Sequence, residues 1–509
     1  MTPETTEKST GYRVVLTADR SSMAGYRSLF GGMVSASQTT MLPEVVMKGL
    51  LAPPVDRDDL RAAWAPLGLR RVEGALLRDG YERDQVAVVR PGDLESAVGP
   101  DTRVIGLASG DPLGVGMNST TMEGLLGGRI YVGAWFRRLA RKVNQLKEQA
   151  PSARIVVGGP GAPELADDPE ARRGLGIDYV IAGPCEGNVA ELIRAAEEDR
   201  PAEAVLHGRD GRAEAIPPVQ GGVTAGAVEL SRGCGLGCRF CSLRDKPMRH
   251  LPEDTIIADA RTNLRSGAES ISLISEDVFR YGSEGEEVRP EALLDLLRRL
   301  RGELDIDLIQ TDHVNVASVA QFGDAQLREF YRLMSGAGAG QVWVNLGVET
   351  ASGQLLVRNG GRAKMGGREP DEWGDFCLRQ VRRLSGAGIF PLVSLIVGLP
   401  GERSGHVRQT RRWVQRLRNE KAAVFPLFYA SYEGDGNSGF GVEDMTDEHW
   451  RLFKQCYRLN FRWVPGLCRD NQARGGVPLW RRVAVQAAAV CGSLGWRGYF
   501  DWKRCRSGT

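Results

Sequence analysis

The residues most able to do chemistry are three cysteines. They fall in Glu229-Leu230-Ser231-Arg232-Gly233-Cys234-Gly235-Leu236-Gly237-Cys238-Arg239-Phe240-Cys241, spaced by three residues and then two. Glycines at 233, 235 and 237 let such a loop bend tightly and bring backbone N–H groups toward sulfur. Three thiolates suit three irons of a 4Fe–4S cluster and leave the fourth iron open to chelate a substrate or cosubstrate. Structural zinc takes four ligands at other spacings, and no neighbouring Cys or His completes that set. The total of 9 cysteines is odd, which does not suit a fully paired disulfide framework. Cys185, Cys377, Cys456, Cys468, Cys491 and Cys505 lack comparable spacing and read as ordinary thiols.

Regular elements must position that loop. Apolar runs near Val228–Ser231, Ser270–Ser275, Asp307–Gln310, Gln341–Gly347, Pro391–Gly398 and Val424–Tyr429 alternate with helical stretches. This predicts an open, partial (β/α)6 barrel over residues 216–433, with its active groups at strand C-terminal ends. An earlier series has runs at Tyr12–Thr17, Gln85–Arg90, Arg103–Ser109, Ala153–Gly159 and Asp178–Gly183. It predicts a doubly wound, Rossmann-like α/β domain over residues 12–215. Residues 200–225 are rich in Gly and Pro and read as a linker. From residue 434 onward the chain holds Trp450, Trp463, Trp480, Trp496 and Trp502, half of its 10 tryptophans. That predicts a small, mostly helical domain over residues 434–509, either packed as its own core or capping the active site.

The cysteine loop after a first barrel strand, with Phe240 before the last cysteine, resembles the radical S-adenosylmethionine superfamily. The resemblance implies that Cys234, Cys238 and Cys241 hold the cluster, whose open iron binds S-adenosylmethionine. Ser394-Leu395-Ile396-Val397-Gly398-Leu399-Pro400-Gly401-Glu402 resembles the fifth-strand motif, which places Ser394 and Gly398 near adenine. Asn345-Leu346-Gly347-Val348-Glu349-Thr350 resembles the fourth-strand end, where Glu349 would meet the ribose. One segment departs from the pattern. Many members carry Gly-Gly-Glu after the second strand, whereas this chain reads Ser275-Glu276-Asp277-Val278-Phe279-Arg280-Tyr281-Gly282. Glu276 could accept the S-adenosylmethionine ammonium or reach the open iron as an oxygen ligand.

The N-terminal series resembles the cobalamin-binding domain of cobalamin-dependent members. Its segments Ser109–Thr121, Val157–Gly161 and Ala182–Gly187 follow strands, where open sheets bind ligands. The resemblance assigns Gly114, Gly116, Ser119, Thr120, Gly158, Gly159, Gly183 and Glu186 to that cofactor. None of the 5 histidines lies in an Asp-x-His-x-x-Gly motif, and none is expected in the N-terminal strands. Base-off cobalamin follows, with Arg70 and Arg71 as candidate cations beneath cobalt. The whole pattern is most similar to the tryptophan 2-C-methyltransferases of thiostrepton-type thiopeptide biosynthesis. That similarity implies transfer of a methyl group from S-adenosylmethionine, via methylcobalamin, to indole carbon 2 of L-tryptophan. A nucleophilic carbon permits polar transfer; radical methylation of an sp3 carbon is the alternative. Tyr429, Tyr432 and Glu433 near the last strand offer contacts for indole and ammonium. Asp312 and His313 end the third strand and could abstract or relay the indole proton.

Composition narrows the partners. The 509 residues carry 66 Lys plus Arg against 64 Asp plus Glu, a net charge of +2. Neither sign dominates, which excludes an obvious nucleic-acid or polybasic membrane binder. No run of about 18 apolar residues exists and no secretory leader is evident. The expectation is a soluble cytoplasmic enzyme with a small-molecule substrate and a reductant for activation.

Overall fold

A computed structural model describes residues 11–338, 340–431 and 438–506. The first strand, β1 (Val14–Ala18), has five consecutive buried residues, as a strand covered on both faces requires. It is joined by β2 (Val86–Val88), β3 (Val104–Ala108), β4 (Arg154–Gly158), β5 (Tyr179–Ala182) and β6 (Val205–His207). The six form one parallel sheet in the order β2-β1-β3-β4-β5-β6. In this order the chain reverses direction between β1 and β3, so the crevice there is where such sheets take ligands.

Helices cover both faces of the sheet. Helix α1 (Leu67–Arg78) gives Leu69, Ala75 and Leu76 to one apolar layer. After α2 (Met117–Leu126), helix α3 (Tyr131–Leu146) gives Phe136, Leu139, Val143 and Leu146 to the other. These four recur at three- and four-residue steps, one stripe of an amphipathic helix.

Part of the expected linker is structured. Val205–His207 extends the sheet as an edge strand, and Gly222–Val223 pairs with Trp64–Ala65. His207 therefore does lie in an N-terminal strand, paired with Ala182, contrary to the reading of the sequence.

The barrel begins with β7 (Ala227–Glu229). The cysteine loop then runs from β8 (Ser231–Arg232) to β9 (Arg249–His250), which pair antiparallel and close the loop at its base. After helix α4 (Glu253–Arg265) come β10 (Ser270–Ile274), β11 (Leu308–Thr311), β12 (His313–Asn315), β13 (Val342–Glu349), β14 (Ile389–Val397) and β15 (Ala423–Phe428). Strands β7-β10-β11 form one parallel sheet and β12-β13-β14-β15 another. The third barrel strand is broken at Asp312. Its first half pairs with β10 and its second with β13, so Asp312 and His313 sit at the seam between the two sheets.

Helix α5 (Ser404–Arg416) is followed by a long helical pair, α6 (Asp447–Arg474) and α7 (Leu479–Arg506). The described residues of the tail pack into the barrel's own core, and its start brings Phe440 and His449 beside Gly398 at the end of β14. Trp450, Leu452, Phe453, Cys456 and Leu459 of α6 belong to the same apolar cluster as the barrel strands. Asn460 bonds both the N–H and the C=O of Val424 in β15, and Asn471 takes the indole N–H of Trp343 in β13. Helix α6 thus runs along the outside of the barrel, because its apolar stripe faces the strands. Among the described residues, no helix is long and apolar enough to cross a membrane.

Candidate functional site

The cysteine loop is held from several sides. Cys234 N–H donates to Lys246 C=O at 2.9 Å and Arg239 N–H to Asn359 C=O at 3.0 Å. Gly233 sits at φ +79°, and a Cβ there would lie 2.4 Å from the Pro247 carbonyl oxygen, so only glycine fits. Cys238 is buried, while Cys234 and Cys241 are partly open. Burial raises all three thiols, Cys238 to about 11. Two cations oppose this. The Arg280 guanidinium donates to the Cys234 carbonyl at 2.9 Å, and Lys364 acts on all three sulfurs. Among the described residues, no three His, Cys, Asp or Glu side chains converge on a single metal ion. A cubane does not ask for that, since each thiolate binds a different iron.

Opposite the loop lies a group of ionisable side chains. Ser275 Oγ meets Ser231 Oγ at 2.5 Å, which fastens the end of β10 to the base of the cysteine loop. Glu276 follows. Its side chain is exposed, yet the protein packed around it desolvates the carboxyl and raises it above the ordinary range. It has no hydrogen-bond partner among the described residues, and it acts on the Cys241 thiol through its charge. His313 donates from Nδ1 to Asp312 at 2.9 Å, and its Nε2 meets the Asn345 amide at 2.7 Å. Burial lowers its pKa, but the carboxylates of Asp312, Glu276 and Glu349 outweigh that and carry it to about 9. That value favours the cationic ring at neutral pH, and a cation donates from Nε2, so it requires the Asn345 amide to turn its oxygen to the ring and its N–H to the Ser394 hydroxyl. The Asn345 amide and Ser394 hydroxyl lie 2.5 Å apart, which joins β12, β13 and β14 through side chains.

Glu349 ends β13 at a register shift, with φ +64°. A non-glycine residue held there stores backbone strain, typically about 1–3 kcal/mol. A buried ion pair with Lys364 holds it in place. Lys364 also lies 5.8 Å from the centre of the Phe240 ring. Sequence reasoning missed Lys364, a lone lysine between glycine pairs with no motif around it.

The fifth-strand loop is pinned as well. Gly398 N–H donates to Glu402 at 2.9 Å, and Glu402 meets His449 Nε2 at 3.0 Å. Gly398 has φ +85°, and a Cβ there would strike Phe440 at 2.2 Å. Gly398, Phe440 and His449 help line an open groove of about 490 Å³. Tyr429 is buried just beyond β15. Tyr432 and Glu433 lie outside the described residues.

At the N-terminal sheet the predicted residues divide. Gly158 and Gly183 face open space, and Gly159 and Gly183 have φ +95° and +83°, so a ligand can approach the backbone closely there. Gly114 and Gly116 shape the turn before α2, where Asp111 accepts from Val115 and Gly116 N–H at 2.8 and 3.3 Å. The Ser119 hydroxyl is also spent on Asp111, and Thr120 bonds back to Gly116 C=O at 3.1 Å within its own helix. Asp19 and Ser109 share a hydrogen bond across the crevice between β1 and β3. Sequence reasoning missed the first of these.

Three expectations are corrected. Glu186 is not free for a cofactor, because both its oxygens bind Arg232 at 2.6 and 3.0 Å. Arg70 and Arg71 are neither solvated nor available beneath a cobalt. Arg70 is buried on Glu73 at 2.8 Å and on the Ala62 and Gly222 carbonyls. Arg71 is buried on Asp259 of α4 at 2.5 Å and on Pro217 C=O at 2.9 Å. Their guanidinium groups join the two α/β units, with Arg71 Nε also 3.4 Å from Glu229.

Residues 228–414 match the model of the Radical SAM superfamily. A radical SAM match implies a 4Fe–4S cluster and S-adenosylmethionine, and the donor set fits both: a clamped three-thiol loop with cations beside it, and acids at the neighbouring strand ends. Curated relatives include the ribosomal protein uS12 methylthiotransferase RimO of Trichlorobacter lovleyi, 25% identical over 46% of this chain and 50% of that protein. The same enzyme of Frankia alni is 25% identical over 77% of this chain and 68% of its own. The tRNA-2-methylthio-N(6)-dimethylallyladenosine synthase of Mycobacterium avium is 25% identical over 57% and 39%. The chain spans about half the length of the first two relatives, 50% and 53%. Among solved structures, the radical S-adenosylmethionine methyltransferase TsrM from Kitasatospora setae, with tryptophan bound, covers 82% of this chain and 74% of its own. Its TM-score is 0.49 at 17% identity, too low to argue a substrate.

Proposed function

We propose that the chain is a cobalamin-dependent C-methyltransferase that acts by polar transfer on a nucleophilic carbon, with indole carbon 2 of L-tryptophan as substrate, in thiopeptide antibiotic biosynthesis. The observation that carries this reading is Glu276, an unpartnered carboxylate beside the cationic His313 and next to the cysteine loop. Replacing C–H by C–CH3 heterolytically brings in a methyl cation equivalent and must release a proton. A carboxylate with a raised pKa is suited to accept it, because a general base works best near the operating pH. Hydrogen-atom abstraction from an sp3 carbon needs no such acceptor at the carbon.

Cobalamin, when bound, would supply the electrophilic methyl group, and S-adenosylmethionine at the cluster would be its source. The chain's own residues do the rest. Asp312 orients His313 through Nδ1, and the imidazolium favours the ionised form of Glu276 against the burial that raises its carboxyl. Glu276 takes the proton from the substrate carbon at a carboxylate oxygen. Lys364 and Glu349 hold each other at the β13 end, where a ribose and a carboxylate are the groups they match. The Gly158–Gly159 and Gly183 edges are the chain's open approach for a corrin. Anaerobic turnover with S-adenosylmethionine, cobalamin and L-tryptophan tests the proposal. Methyltryptophan with S-adenosylhomocysteine supports it. A methylated product with stoichiometric 5′-deoxyadenosine points to the radical alternative, and no product from a wide substrate panel points to a non-catalytic cofactor-binding role.

A further inference from the structure

The cysteine loop is connected to the N-terminal unit by a chain of ion pairs that the reaction does not use. Arg232 stands two residues before Cys234, at the base of the loop. Its guanidinium meets Glu186 at 2.6 Å and Asp210 at 3.0 Å, and it also pairs with Glu229. Glu186 follows β5, on the open edge of the N-terminal sheet. Asp210 pairs in turn with Arg249, which faces Arg232 across the β8–β9 clamp. Glu229 sits 3.4 Å from Arg71, whose other partner is Asp259. Side-chain exposure is 15% for Arg232, 8% for Glu186 and 11% for Glu229. The pair is thus shielded from the screening that makes surface ion pairs weak.

The arrangement is directional. Arg232 presents a planar fork to both oxygens of Glu186, and this fixes orientation as well as distance. The loop closes only when β8 and β9 pair, and each strand of that pair has an arginine bound to Asp210 from the N-terminal segment. The loop's other anchors, Ser231 to Ser275, Arg280 to the Cys234 carbonyl and Arg239 N–H to Asn359 C=O, run to the barrel, whereas the arginine pairs run to the N-terminal segment. The hydrogen bonds from Cys234 and Gly237 to Lys246 and Arg244 lie within the loop itself and do not anchor it to the rest of the molecule.

We infer that the Glu186–Arg232 ion pair is a strap by which the N-terminal unit holds the cysteine loop in its cluster-binding shape, with Arg232 as a positioning residue. The inference rests on the cluster reading of the three cysteines. It makes cluster retention a property of both units rather than of the loop alone, and it places the strap at the sheet edge proposed to receive the corrin.

The test uses the full chain, reconstituted anaerobically with iron and sulfide. Iron release to excess ferrous chelator and the electron paramagnetic resonance spectrum of the dithionite-reduced cluster are measured. The variants are Glu186→Gln, Arg232→Lys and, as a control in the same unit, Arg13→Gln, which breaks the Arg13–Glu197 pair. Partners bonded directly to metal ligands are typically worth roughly 10–100-fold in metal affinity, and Glu186 acts at one remove through Arg232, so Glu186→Gln is expected to release iron about tenfold faster, the low end of that range. Its cluster spectrum changes, Arg232→Lys falls between it and wild type, and Arg13→Gln behaves as wild type. Wild-type release with an unaltered spectrum in Glu186→Gln overturns the strap. So does equal acceleration in Arg13→Gln, since that reports general destabilisation. If Glu186→Gln fails to fold, Glu186→Asp and Arg232→Lys carry the same comparison. Full iron retention in Cys234→Ala would instead reject the cluster reading.

Discussion

At the C-terminal edge of the N-terminal sheet, polar side chains are bound to one another. At the barrel mouth, several keep capacity to spare. Asp111 absorbs Ser119 and two backbone N–H groups, and Asp19 takes Ser21 and Ser22 as well as Ser109. What that edge offers a ligand is bare backbone at Gly158 and Gly183. The mouth instead offers three thiols, an unpartnered Glu276 and a charged His313. The difference suits different work. A large cofactor held by shape wants a rigid, satisfied rim, whereas proton and metal chemistry needs groups whose partners arrive with the substrate.

Substitutions at the mouth should therefore cost chemistry, and those at the sheet edge should cost stability. The largest effect is expected from Cys238→Ala, which should abolish bound iron, read as loss of iron–sulfur absorbance. Next, Glu276→Gln should lower kcat about 10²–10⁴-fold, the usual worth of a general base. Cluster content is unchanged in that variant if Glu276 serves the proton.

The pH profile sharpens the comparison. Glu276 must be ionised, and its pKa is raised, so activity should climb through a pH range above that of an ordinary glutamate. His313 must keep its proton, so activity should fall as pH rises through about 9. His313→Asn should remove the alkaline limb and move the acid limb upward, because the cation that opposes the rise of the Glu276 carboxyl is gone. The smallest effect belongs to the sheet edge. Ser119→Ala should cost about 1 kcal/mol of stability, seen in denaturant unfolding, and leave cofactor binding unchanged.

Local patterns were legible in the sequence, and distant partnerships were not. The cysteine loop is a spacing within eight residues, and most strands show themselves as short Val- and Ile-rich runs. Val205–His207 escaped because a three-residue edge strand hides among the glycines and prolines that follow it. The buried fates of Arg70 and Arg71 depend on partners far along the chain: Gly222 lies 152 residues from Arg70, and Asp259 lies 188 from Arg71. Glu186 looked like a cofactor contact because its own neighbourhood is a strand end, while Arg232 is 46 residues away. Counting tryptophans gave no sign of which way α6 would face. The break at Asp312 was not visible either, although it sets Asp312 and His313 at the seam between the two barrel sheets.

The most direct test uses S-adenosylmethionine with a deuterated methyl group, L-tryptophan, cobalamin and the reconstituted chain under anaerobic conditions. The products are resolved by mass spectrometry. The account predicts 2-methyltryptophan carrying all three deuterons, with S-adenosylhomocysteine and no 5′-deoxyadenosine. A methylated product accompanied by one 5′-deoxyadenosine per turnover would contradict it.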